Sequence, residues 1–161
     1  MTSAEAVEDL YRSAILWAIG ESGSAPVVRA ACDALVAGQD GEALRELAGI
    51  STQADELGED VEEAIQAALM ELGRPLPRRG TPEVEAEAVR VMAHEALSGR
   101  WIPRELAAWA HRAIGHQGAP MAQPLVELDD RYDIALYAGR SVDAIDDAVM
   151  SFCHTVVPTE P

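Results

Sequence analysis

The chain has 161 residues, 48% of them hydrophobic but only 4% aromatic, so it can bury a core without disulfides or metal. Alanine supplies much of the apolar fraction, which favours closely packed helices over strands, whose pleated surfaces want β-branched and aromatic residues. A net charge of −16, from 28 acids against 12 bases that are all arginine, excludes general binding to nucleic acid or anionic lipid.

The first helix is predicted from Thr2 and Glu5, which have capping-box spacing. Val7, Leu10, Tyr11, Ala14, Ile15, Ala18 and Ile19 follow at helical intervals, and Gly20 stops the run. ESGSAP is turn chemistry, with Ser24 as N-cap and Pro26 in the first turn of a helix reaching Ala37. Asp40 caps a short third helix ending near Gly49, and a further helical turn is expected over 51–57. DVEEAIQAALMEL, residues 60–72, reads as an amphipathic helix closed by Gly73. The N-terminus has acids before its short apolar run and no basic leader, so it is read as neither a signal peptide nor a membrane span.

RPLPRRG near 73–81 is the sharpest break, read as a loop or hinge between two helical layers of a single domain. Thr81, Pro82 and the glutamates at 83, 85 and 87 then start a helix to about Leu97. Pro103 starts the next, with Leu106, Trp109, Ala110, Ala113 and Ile114 as its apolar stripe and Gly115 as its stop. HQGAPMAQP is read as an irregular loop, Leu125–Tyr137 as a helix, and Ser141 as the cap of a last helix to about His154. Residues 158–161 read as a frayed tail. The expected fold is thus all-α, a compact bundle of six or seven short helices in one domain over 1–157.

Charge is uneven along the chain. Residues 1–73 carry −12, residues 74–116 carry +2, and residues 117–161 carry −6. Arginines packing against the chain's own acids is the simplest reading of this pattern. Cys32 and Cys153 match no metal-binding or redox spacing, so a reduced, cytoplasmic setting is expected.

Residues 98–133 concentrate the chemistry-bearing side chains. Arg104 and His111 are seven apart on one polar stripe opposite Leu106 and Trp109, and Arg100 and Arg112 extend it. Trp101 beside the turn and the acids Asp129, Asp130 and Asp133 complete the candidate partner-binding set. His111 and His116 are five apart with Gly115 between them, so helix geometry does not give them a common face, and HExxH is absent. They are read as surface or capping imidazoles, with no metal and no cofactor. Asp129 and Asp133, like Asp143 and Asp147, are four apart on helical faces. Two such pairs facing each other would hold a divalent ion for a metal-dependent hydrolase, the alternative function. As DDRYD and DAIDD they read more simply as solvated helix faces. No P-loop, GxSxG or GxGxxG occurs, and no catalytic residue is assigned.

Two stretches carry a family resemblance: RAACDALVAGQDGEALRELAGIS with ALMELG, and AHEALSGRWIPRELAAWAHRAIGHQGAPMAQPLVELDDRYD. They resemble segments of small uncharacterised helical bacterial proteins and cover most of residues 28–133. The resemblance implies no substrate and no catalytic residue; it makes Gly99, Ile102, Pro103 and 125–133 look like one helix–turn–helix unit. Glu105-Leu106 stands where those proteins usually have a Gly-Ala pair. The functional expectation is a non-enzymatic acidic interaction module, such as an immunity- or antitoxin-like inhibitor or small regulator, that binds a basic protein partner. Nucleic acid and membrane are excluded as partners, and a homodimer through the alanine-rich helices is the structural alternative.

Overall fold

The computed structural model describes residues 1–51 and 58–157, and among these the regular structure is entirely helical. Eight α-helices and one 3₁₀ turn replace the six or seven helices expected. The short third helix forms as read, over Glu42–Ala48, between Gly41 before it and Gly49 after it. The turn expected over 51–57 lies, Ser51 apart, outside the described residues, as does the tail at 158–161. No helix among the described residues is long and apolar enough to cross a membrane.

The chain divides into two compact units, Met1–Arg79 and Gly80–Pro161, and the division falls inside the RPLPRRG break. The first unit comprises α1 (Ser3–Ala18), α2 (Ser24–Val36), α3 (Glu42–Ala48) and α4 (Gly58–Glu71), each packed on the next. The capping box forms as read: Thr2 Oγ1 accepts from the Glu5 N–H at 3.2 Å, and the Glu5 carboxylate accepts from the Thr2 N–H at 2.6 Å. Those backbone and hydroxyl bonds hold the Glu5 carboxyl below its usual range. Helix α1 then buries Leu10, Tyr11, Ala14, Ile15, Trp17 and Ala18, while Val27, Leu44, Leu47, Val61, Ile65 and Leu69 are buried on the other three helices. Each fully buried aliphatic of this size contributes about 1.5–3 kcal/mol.

The end of the unit is tied down by arginines. Arg74 stacks on the Tyr11 ring, 3.9 Å from its centroid, and makes a two-pronged bond to Glu8. Arg79 lies 4.5 Å over the Trp17 ring and donates to the Ala18 carbonyl. The proline–arginine segment is therefore held against α1 at both its ends. Arginine–acid pairing recurs locally as Arg12–Asp9, Arg45–Asp40, Arg90–Glu87 and Arg100–Glu95.

The caps of α2 and α3 differ from expectation. Ser24 is the first residue of α2, with Gly23 at the cap and no side-chain bond. The first amides of α3 are taken by another helix: Glu71, at the end of α4, accepts from Glu42 N–H at 3.0 Å and Leu44 N–H at 3.2 Å. Asp40 instead accepts from the Gly41 N–H and pairs with Arg45. A Cβ on Gly41 would collide with the Glu71 carboxylate, which explains glycine there without any backbone strain.

The second unit comprises α5 (Pro82–Leu97), α6 (Pro103–Ala113), the 3₁₀ turn Pro120–Ala122, α7 (Gln123–Tyr137) and α8 (Asp143–Val156). Its first and last helices, α5 and α8, pack together, and α6 packs against α7 and α8. Trp109 is fully buried at the centre of the α6 stripe, with Leu106, Ala107 and Ala110. That stripe stops at Ala110; Ala113, read as part of it, is exposed on the last turn. Helix α7 starts two residues earlier than read, and the loop before it contains the 3₁₀ turn.

Candidate functional site

Helix α6 ends at Ala113, and Gly115 then adopts φ +71°, the left-handed conformation that costs glycine little. This turn sends the chain back over the last turn of α6. His116 is thereby brought beside His111: the ring centroids are 4.9 Å apart and the planes meet at 75°. Helical spacing separates these two imidazoles, and the glycine reversal reunites them. They share no helical face, as read, yet the turn sets the two rings side by side.

Helix α7 supplies the acids. Consecutive helical residues point about 100° apart, so Asp129 tucks towards α6 while Asp130 faces further outward. Asp129 Oδ2 lies 2.8 Å from His111 Nδ1, and Asp130 Oδ1 lies 3.7 Å from the same nitrogen. Asp130 Oδ2 is 3.5 Å from His116 Nε2. The side chains of His111 and Asp129 are largely covered, those of His116 and Asp130 about half exposed. His111, His116 and Asp130 can each offer one ligand atom, all within 4.8 Å of one another.

The loop that carries His116 is braced by two residues no motif marks. The Gln123 side-chain amide donates to the carbonyls of Gly115, Gly118 and Ala119 at 3.0–3.4 Å. Glu85 of α5 accepts from the Ala119 N–H at 2.6 Å. A Cβ on Gly118 would run into Ile114 and the Glu85 carboxylate, so any side chain there would force these groups aside.

The other sequence candidates are placed as follows. Arg100 is engaged by Glu95 at 2.7 Å, Trp101 is half-buried, and Arg104 and Arg112 are exposed on α6. Asp133 is exposed on α7. Asp129, Asp133, Asp143 and Asp147 form no group of close ligand atoms among the described residues. Asp143 lies in the first turn of α8, where its N–H donates to Ser141 Oγ. The acid that meets α7 is Asp146, which accepts a short hydrogen bond from the hydroxyl of the fully buried Tyr132. Burial, and then this bond, push the Tyr132 hydroxyl above its ordinary range.

Helix α7 has two distinct faces. Leu125, Leu128, Tyr132 and Ala135 are buried, whereas Asp130, Asp133, Ile134 and Tyr137, at i, i+3, i+4 and i+7, line the outer side. Tyr137 is 97% exposed and Ile134 is 64% exposed. Cys32 is exposed and Cys153 buried, both as free thiols.

No family model, no curated protein and no solved structure matches this chain.

Proposed function

We propose that this chain is an acidic interaction protein that meets a basic protein partner through the outer face of α7. The observation that carries the reading is a nearly fully exposed tyrosine, Tyr137, beside exposed Ile134, framed by Asp130 and Asp133 on one helical face. Large apolar side chains gain free energy by leaving water, and tyrosine covers much area with little rotamer entropy to lose. The carboxylates around them favour a partner bearing arginine or lysine. A net charge of −16 steers such a partner and weakens association as salt rises.

The test is affinity capture with the wild-type chain and with a Tyr137→Ala/Asp133→Asn double variant, each at low and high salt. Both positions are exposed, so the variant is expected to fold, which circular dichroism checks. A basic protein retained at low salt, released by salt and not held by the variant supports the reading. Capture that is insensitive to salt and equal for both proteins, or no capture at all, rejects it.

A further inference from the structure

We propose that His111, His116 and Asp130 bind one divalent transition-metal ion, with Asp129 as a positioning residue for His111. Three observations carry the site. Its three ligand atoms already lie within 4.8 Å of one another. One edge, His116 Nε2 to Asp130 Oδ2 at 3.5 Å, is close to the separation of neighbouring donors about an ion held at about 2.0–2.2 Å from each. The remaining edges are left to side-chain rotation of His116 and Asp130, which are about half exposed.

The second observation is Asp129. Its carboxylate accepts from His111 Nδ1 at 2.8 Å. An imidazole held through Nδ1 by a carboxylate keeps a fixed ring orientation, which orders His111 beside His116 and Asp130. The third is the bracing of the His116 loop by Gln123, Glu85 and Gly118, which limits the ordering that binding requires.

Two imidazoles and one carboxylate select zinc, cobalt, nickel or copper over magnesium and calcium, which demand oxygen donors. Three protein ligands leave a coordination position open to water or to a partner's side chain.

The experiment uses the full untagged chain, titrated calorimetrically with Zn²⁺ and followed by visible absorption with Co²⁺. One ion per chain is expected for each, with no uptake of Mg²⁺ or Ca²⁺. His116→Ala and Asp130→Asn abolish this binding, and Asp129→Asn weakens it roughly 10- to 100-fold. His94→Ala and Cys32→Ser, which alter exposed groups outside the cluster, leave it unchanged. Circular dichroism of each variant verifies the fold. Absence of uptake by the wild type, undiminished uptake by folded His116→Ala and Asp130→Asn proteins, or loss of uptake in either control variant overturns the proposal.

Discussion

The cap that Glu71 places on α3 makes a coupling testable by a double-mutant cycle with Gly41. The Glu71 carboxylate satisfies two of the N–H groups that the start of α3 cannot bond internally. Losing a cap of this kind costs about 0.5–2 kcal/mol, so Glu71→Ala is expected to destabilise the N-terminal unit by about 1–2 kcal/mol. Gly41→Ala should cost a similar amount by a different route. Its Cβ takes the space of the Glu71 carboxylate, and the flexible glutamate swings away and abandons the cap. The backbone at Gly41 is extended, at φ 172°, so alanine itself fits. Once Glu71 is gone, Gly41→Ala removes nothing further, and restricting the unfolded chain makes it neutral or stabilising by about 0.4–1 kcal/mol. The two substitutions are thus strongly non-additive, with a coupling of about 1–2 kcal/mol. Urea unfolding of the four proteins measures the coupling, and amide exchange at Glu42 and Leu44 reports the cap directly. Additive effects, or unchanged protection of those two amides in the Glu71→Ala protein, would refute the reasoning.

Two further predictions concern buried titratable groups of the second unit. Burial pushes the Cys153 thiol up from 9.0 to about 11, so the folded chain holds that proton more tightly than the unfolded one. This stability is complete below pH 9 and is lost as pH rises through 11, by at most about 2–3 kcal/mol. A thiol reagent should modify Cys32 rapidly and Cys153 only on unfolding, and Cys153→Ala should flatten stability measured between pH 9 and 11; two thiols reacting at one rate contradict this. Tyr132 is likewise raised, from 10.0, and its contribution begins to fall once pH exceeds that value. Tyr132→Phe should remove that decline and cost about 1 kcal/mol at neutral pH through the lost bond to Asp146, as chemical denaturation would show. A variant as stable as the wild type, with the same alkaline loss, would count against the role given to that bond.

Much of the secondary structure was legible in the chain itself. Helix propensity, proline at first helical positions and glycine past helix ends act within a few residues, so α1, α5 and α6 could be placed from local chemistry. The Thr2–Glu5 capping box forms because its partners are three residues apart. Features joining distant residues were not legible. Nothing near Gly41 announces that a carboxylate 30 positions later will occupy its missing side chain. Similarly, Glu85 looks like one of three dipole-favouring acids until the fold sets it against Ala119.

The candidate site divides along the same line. Spacing on a helix correctly says that His111 and His116 share no face, but helix geometry ceases to apply beyond Ala113. The angle of the reversal is set at Gly115, and its partners are set by packing α6 on α7. Those two facts bring Asp129 and Asp130 under the imidazoles. The acid pairs at 129/133 and 143/147 show the converse case. Periodicity puts each pair on one helical face, yet it is Asp146 that meets α7, through Tyr132, because the rotation of α8 follows from burying Val149 and Cys153. Composition, charge and local signals determined that this chain is helical and acidic. Which of its acids stand against histidine, against tyrosine or in water was decided only by how the helices pack.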